Sequence, residues 1–423
     1  MKKLNPDFVF PKYKNDCFSN IPTTILDLFG VGIKRPTISK EHYYKYSNGQ
    51  YDNVILLWID ALGFHQWKRF ANQFSLFKLL DGKGYLSPAT SVFPSTTVCA
   101  MNTINSGLTP AEHGLFEWTL FMQEIDATIE PFPFNKIGEK GISLLEKSVN
   151  PKILFSFPTI YQTLKKNGVN SFSFVDKSYA NNTFLTISQK GSISLPFVNF
   201  SDLVVKLKNQ LIKCRGKNYL FAYWDRLDTL GHEYGPDNDA YKVELSKISH
   251  LLSTEFIKKL DKQTRQKTLL IITADHGQIA VNPKETIYLD KDEKLMKSLQ
   301  KNKTGEIILP TGSARDVYLH IEEKWLKEIY QHLKNKLKNG ADVVYTDEAI
   351  ISGLFGQNKV DDKFRSRLGN LMLLPYENYT IWREYKGKKF EFLGHHGGLN
   401  KEEMEIPISI CSLEEIFNGI RSI

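Results

Sequence analysis

Cysteine is scarce in this chain. Four occur in 423 residues, Cys17, Cys99, Cys214 and Cys411, far apart and without a Cys-x-x-Cys pair. That spacing excludes a disulfide framework and a structural zinc knuckle, and it favours a reducing compartment. Long apolar runs are absent as well: no stretch approaches the ~18 apolar residues of a membrane-spanning helix. The opening MKKLNPDFVFPKYK has two lysines but no apolar stretch behind them, unlike a secretory signal. These absences together predict a cytoplasmic protein with no membrane span. Charge of one sign is not concentrated anywhere. The 55 basic and 47 acidic residues leave +8, scattered through helical-looking stretches such as 323–338. The excess mildly favours anionic ligands and does not by itself argue for nucleic acid. There are no internal repeats and no low-complexity tract. Apolar content of 41% and charged content of 24% are ordinary for a globular chain, and the length allows one large domain with insertions or two domains.

What is present is an alternation of buried-strand and helix signals. Residues 53–59 (NVILLWI), 218–224 (NYLFAYW) and 268–273 (TLLIIT) are near-continuous apolar runs, the pattern of strands covered on both faces. Each ends at an acid: Asp60, Asp225, and Asp275 after one alanine. Helical spacing marks 64–80, 159–167, 200–213 and 239–265, with extended segments at 84–92, 171–175 and 405–411. The first 50 residues, with little periodicity, are expected to wrap over the core. This rhythm predicts an α/β fold with a mostly parallel central sheet and helices on both faces. Between 283 and 388 it changes to that of a small α+β subdomain. The expected organisation is therefore a core of 1–282 and 389–423 with 283–388 inserted. Acids at the carboxyl ends of parallel strands lie where open α/β sheets place their ligands.

The stretch 89–114, ATSVFPSTTVCAMNTINSGLTPAEHG, delivers two threonines to a helix start. Pro94 ends an extended run, Ser95, Thr96 and Thr97 are helix-starting types, and Val98, Met101, Ile104 and Leu108 recur as one apolar face. Gly107 and Pro110 supply the stop. A hydroxyl at that helix start sits among unpaired N–H groups, a natural place for a phosphate. Metal-ligand residue types occur at Asp60, at Asp228 and His232 four apart, at Asp275-His276-Gly277, and at His396 before a Gly-Gly pair. Three carboxylates and three imidazoles suit two divalent cations, zinc or manganese. Such a pair can clamp the attacking and leaving oxygens of a phosphoryl transfer. Asp225 competes with Asp228 for its place, as a ligand or as a supporting carboxylate. His113, in Ala-Glu-His-Gly, reads as a turn residue.

On these motifs the chain resembles the alkaline phosphatase superfamily, and within it the type I phosphodiesterase/nucleotide pyrophosphatase branch, from about 53 to 408 with weak likeness over 283–388. The resemblance implies that Asp60, Thr97, Asp275 and His276 surround one metal. It implies that Asp228 and His232 (of Asp-Thr-Leu-Gly-His) and His396 surround the other. Counting back ten residues from Gly107 makes Thr97 the nucleophile that forms a phospho-threonine intermediate; alignment on Phe-Pro would favour Thr96. Nucleotide-cleaving members tend to carry an Asn shortly after the His-Gly turn, helping to hold the phosphate. Here Trp118 fills that place, with an indole N–H that can donate but does not replace an amide group for group. The implied activity is metal-dependent hydrolysis of a phosphate diester or nucleotide, with Thr96 and Trp118 against the substrate. The alternatives are a phosphomonoesterase, a phosphoglycerate mutase-like enzyme of the same architecture, or a non-catalytic binding member. The aromatic stretch 116–134 and the 283–388 segment are expected to shape substrate choice.

Overall fold

Seven strands form the central sheet of this computed structural model, which describes residues 4–422 apart from 33, 48, 71, 72, 140, 358, 359, 361 and 385–388. In chain order they are β1 (Asn53–Ile59), β2 (Leu86–Thr90), β3 (Val169–Asp176), β4 (Ile193–Phe197), β5 (Lys217–Trp224), β6 (Thr268–Thr273) and β7 (Glu405–Ser412). Their order across the sheet is β2-β7-β6-β1-β5-β3-β4. β1 pairs in parallel with both β5 and β6, while β7 runs antiparallel to β6 and β2. The sheet is thus mostly parallel, with one reversed strand.

The apolar run of β1 is explained by two separate cores. Val54, Leu56 and Trp58 join one cluster with Val98, Met101 and Ile104. Ile55, Leu57 and Ile59 join the other with Leu203, Val204, Leu207 and Leu211. Successive side chains of a strand point to opposite faces, so a strand sandwiched between helix layers must be apolar at every position. The covering helices used below are α1 (Thr97–Ser106), α2 (Phe200–Lys213), α3 (Arg226–Tyr234) and α4 (Asp239–Leu251). Four free cysteines are present, and among the described residues no helix is long and apolar enough to cross a membrane.

Two expected helices are broken. The stretch 64–80 is two helices, Phe64–Phe70 and Ser75–Gly82. Trp67 and Phe77 meet edge to face at 4.8 Å, which one straight helix forbids, since ten residues rise ~15 Å. The stretch 239–265 stops being α-helical after Leu251, and a separate short helix, Lys262–Gln266, starts where the Asp261 side chain accepts from Thr264 N–H. Leu108 lies beyond the end of α1, which Gly107 closes in the left-handed region at φ 71°. Among the described residues of the first 50 there is one α-helix, Ile21–Leu28, packed against α1. Within 283–388, Thr311–Gly312, Val317–Leu319, Leu371–Pro375 and Ala341–Tyr345 form a four-stranded antiparallel sheet. The helix Glu323–Lys336 shares a core with it.

Candidate metal centre

The parallel register sets the site. Ile59 pairs with Trp224 and Trp58 with Thr273, so Asp60, Asp225 and Asp275 leave the same edge of the sheet side by side. From that edge α3 begins, with Asp228 and His232 one turn apart on it. α1 points its first turn at Asp60: Thr97 Oγ1 lies 3.4 Å from Asp60 Oδ2 and 3.4 Å from His276 Nε2. The loop after Gly394–His395 brings in His396, whose Nε2 lies 3.5 Å from Asp228 Oδ1.

Two groups result, Asp60–Asp275–His276 and Asp228–His232–His396, each with its donor atoms within 4.8 Å of one another. Within the first, His276 Nε2 is 3.4 Å from Asp60 Oδ1 and 3.1 Å from Asp275 Oδ2. Within the second, His232 Nε2 is 3.3 Å from Asp228 Oδ1. The rings of His276 and His396 stack between the two groups.

The donor set fits two cations. All three imidazoles hydrogen-bond a backbone carbonyl through Nδ1: His232 with Gly394 at 2.8 Å, His396 with Ser95 at 2.9 Å, and His276 with Gly277 at 3.1 Å. That fixes the proton on Nδ1 and turns the Nε2 lone pair inward, as a metal-ligating histidine requires. Asp60 Oδ1 and Asp275 Oδ2 are buried and without a hydrogen-bond partner among the described residues. Buried carboxylate oxygens in that state call for positive charge. The electrostatics show how tightly these groups are coupled: burial lowers His276, but Asp275 and Asp228 beside it carry it above the usual imidazole range. Burial, with Asp275 and Asp228 alongside, drives the Asp60 carboxyl well above its usual range. Burial pushes Asp275 the same way, but His276 and the Trp58 indole hold it below. His396 is driven well below the usual imidazole range by burial and by the neighbouring His276 and His232.

The two threonines part company. Thr96 caps α1 by position, but its hydroxyl donates to the Phe116 carbonyl at 3.0 Å, away from the acids. Asp225 also stands apart: it accepts from the Tyr179 hydroxyl at 3.0 Å and belongs to neither group. Trp118 is 46% exposed, stacks on Phe132 at 6.1 Å, and makes no hydrogen bond to either group among the described residues. His113 is buried in a short helix, between Thr103 Oγ1 at 3.0 Å and Leu115 N–H at 3.2 Å.

Several supporting residues escaped the sequence reading. The Tyr223 hydroxyl donates to Asp60 Oδ2, Trp58 Nε1 to Asp275 Oδ1 at 3.0 Å, and Gln278 Nε2 to Asp228. Trp58 left a signal, since a buried indole N–H needs an acceptor. Gln278 directly follows Asp-His-Gly. The glycines of the motifs have steric reasons: a methyl at Gly231 would lie 1.7 Å from Gln278 Oε1, and one at Gly277 would lie 2.1 Å from the Glu402 carbonyl. Behind Thr96, Glu117 and Asp316 face each other fully buried, and burial raises Asp316 to about 7.

Residues 54–399 match the family model described as type I phosphodiesterase/nucleotide pyrophosphatase. A human relative, ectonucleotide pyrophosphatase/phosphodiesterase family member 5, is 27% identical over 206 residues, which cover 47% of this chain and 38% of that protein. The match therefore spans well under half of the relative's length. Murine ectonucleotide pyrophosphatase/phosphodiesterase 5, solved as an inactive variant in complex with AMP, is similar in fold with a TM-score of 0.60 at 20% identity, covering 84% of this chain and 87% of that one. Phosphonoacetate hydrolase from Sinorhizobium meliloti, solved with phosphonoacetate, has a TM-score of 0.60 at 16% identity, covering 87% and 94%.

Proposed function

Because this chain belongs to the type I phosphodiesterase/nucleotide pyrophosphatase family, we propose that it hydrolyses phosphate diesters, nucleotides among them, with Thr97 as the nucleophile. The observation that carries the proposal is the position of Thr97 Oγ1, 3.4 Å from both Asp60 and His276 at the start of α1. Two divalent cations, zinc in our reading with manganese as the alternative, would be held by Asp60, Thr97, Asp275 and His276 and by Asp228, His232 and His396. Bound there, they supply positive charge to the phosphate oxygens and make an alcohol and a water more acidic.

The chain's own residues do the rest. Thr97 Oγ attacks phosphorus, forming the Oγ–P bond as the P–O bond to the leaving group breaks in line with it. The free N–H groups in the first turn of α1 hold the non-bridging oxygens. Water then cleaves the Oγ–P bond, releasing the phosphate monoester and restoring the threonine hydroxyl. Tyr223, Trp58 and Gln278 fix Asp60, Asp275 and Asp228 in orientation. The 283–388 segment, read as an insertion, shapes the space beyond the reacting phosphate.

The test is hydrolysis of bis-p-nitrophenyl phosphate by metal-loaded protein, its loss with a chelator, and its return with zinc or manganese. Faster turnover of p-nitrophenyl phosphate than of the diester would move the reading to a phosphomonoesterase. No turnover of either with both cations bound would leave a binding protein.

A further inference from the structure

Behind Thr96, three side chains leave buried oxygens without a hydrogen-bond partner among the described residues: Glu117 Oε1, Asp316 Oδ2 and the Tyr318 hydroxyl. All three residues are 0% exposed. They form one cluster. Glu117 and Asp316 face each other, and burial, with both acids alongside, drives the Tyr318 phenol well above its usual range. The Phe116 ring, next in the chain to Glu117, meets the Tyr318 ring edge to face at 5.2 Å. Two distant parts of the chain build this cluster. Glu117 follows the short helix Pro110–His113. Asp316 and Tyr318 stand two apart at the strand Val317–Leu319 of the 283–388 segment, a spacing that puts them on one side of it.

The neighbouring donors are spent elsewhere. The Trp118 N–H goes to Glu117 Oε2 and the Ser313 hydroxyl to Asp316 Oδ1. Arg315, beside Asp316 in the chain, gives its guanidinium to Glu403 and the Tyr379 carbonyl. Two buried carboxyls with no cation cannot both stay ionised. One proton shared between them would answer one charge of the two. A divalent cation answers both and takes the Tyr318 oxygen as a third donor. An all-oxygen set, without imidazole or thiolate, suits magnesium or calcium better than zinc. We propose that Glu117, Asp316 and Tyr318 hold a third cation, a hard divalent ion such as magnesium or calcium, separate from the two acid–imidazole groups. Its place gives it a role. A methyl at Gly397 would lie 2.9 Å from Asp316 Oδ1 and 3.4 Å from Thr96 Cγ2, so the turn after His396 rests directly on the cluster. The ion clasps the 283–388 segment to the two stretches that carry Thr97 and His396.

The test takes protein loaded with zinc at the acid–imidazole groups, dialyses it against magnesium or against calcium, and counts bound ions by elemental analysis. One further magnesium or calcium per chain is expected, with a higher thermal midpoint. Glu117→Gln and Asp316→Asn keep their zinc but lower the affinity for the added ion by about tenfold or more, since each removes one of its two charged donors. Tyr318→Phe, which keeps the ring packed on Phe116, lowers it by a smaller factor. Asp228→Ala, altered in the zinc-binding centre, still takes the ion up. No uptake of either cation by the parent overturns the proposal and leaves the two acids sharing a proton. Uptake that survives unchanged in all three variants of the cluster overturns it too, as does uptake abolished in Asp228→Ala. Should the two carboxyl variants fail to fold, Tyr318→Phe decides alone, and an unchanged affinity there counts against the site. None of these readouts needs turnover of an ester, so failure of the phosphodiesterase reading leaves them standing.

Discussion

The imidazole rings of His276 and His396 lie face to face, their centroids 3.5 Å apart and their planes 9° from parallel. One follows β6 and the other arrives near the end of the chain, and the stack joins the two acid–imidazole groups into one centre. Metal content follows from that arrangement. The purified protein, loaded and desalted, binds two zinc or manganese ions per chain by elemental analysis. Asp228→Ala retains one, because Asp60, Asp275 and His276 remain. Full retention of two by that variant would separate Asp228 from metal binding.

Thr97→Ala lowers turnover by on the order of a thousandfold or more, as loss of a nucleophile does. Its thermal midpoint stays near that of the parent, since one hydroxyl and one methyl are removed at the mouth of the site. Thr96→Ala keeps most of the activity, because the Thr96 hydroxyl is spent on the Phe116 carbonyl. Steady-state rates of the two variants check the choice.

Gln278→Ala weakens metal affinity by about 10–100-fold, the usual cost of losing a partner that orients a ligating side chain. The group lost is the Gln278 amide on Asp228. Titration of zinc against a competing chelator measures it.

The fold is acid-labile in a defined window. Burial and the nearby Arg367 lower His113 to about 3, and burial lowers His320 to about 4. Both are neutral when folded and take up a proton on unfolding at an ordinary pKa near 6.5. The unfolded state therefore binds more protons below that value, and stability falls as pH falls. Each contributes ~1.4 kcal/mol per pH unit, His320 from about 6.5 to 4 and His113 on to about 3. Denaturation midpoints between pH 7 and 4 fall less steeply in His113→Gln than in the parent.

Arg315 and Glu403 form an ion pair at 3.0 Å with both side chains fully buried. Glu403 also accepts the Gly398 N–H at 2.9 Å, two residues after His396. Arg315→Met leaves a buried carboxylate unpaired and costs ~3–5 kcal/mol. The double variant Arg315→Met/Glu403→Leu recovers part of it. Urea denaturation of the three proteins reads the difference.

The strands carrying Asp60 and Asp275 were legible because burial on both faces leaves no polar position between Val54 and Ile59, or between Leu269 and Ile272. The acids that follow stand out for that reason. The reversed direction of β7 was not legible, since an apolar strand reads alike in either sense. Telling Thr97 from Thr96 needs the direction of two adjacent hydroxyls: Thr96 is the extended residue before α1 and donates to the Phe116 carbonyl, whereas Thr97 opens the helix and faces Asp60 and His276. Asp225 and Asp228 posed the same problem: in the fold the Tyr179 hydroxyl donates to Asp225, while Asp228 stands beside His232 and His396. The division of 239–265 had its clue in the local chemistry: Asp261 followed three residues later by Thr264 is a helix-start pattern inside an otherwise helical stretch. Tyr223 reaches Asp60 only through strand pairing, which a single sequence does not display.

The most direct measurement is the stereochemical course at phosphorus, followed with a chiral phosphorothioate diester hydrolysed in isotopically labelled water. Attack by Thr97 and then by water inverts phosphorus twice, so the account predicts net retention. Net inversion would mean that water attacks the substrate directly, and it would contradict the role given to Thr97.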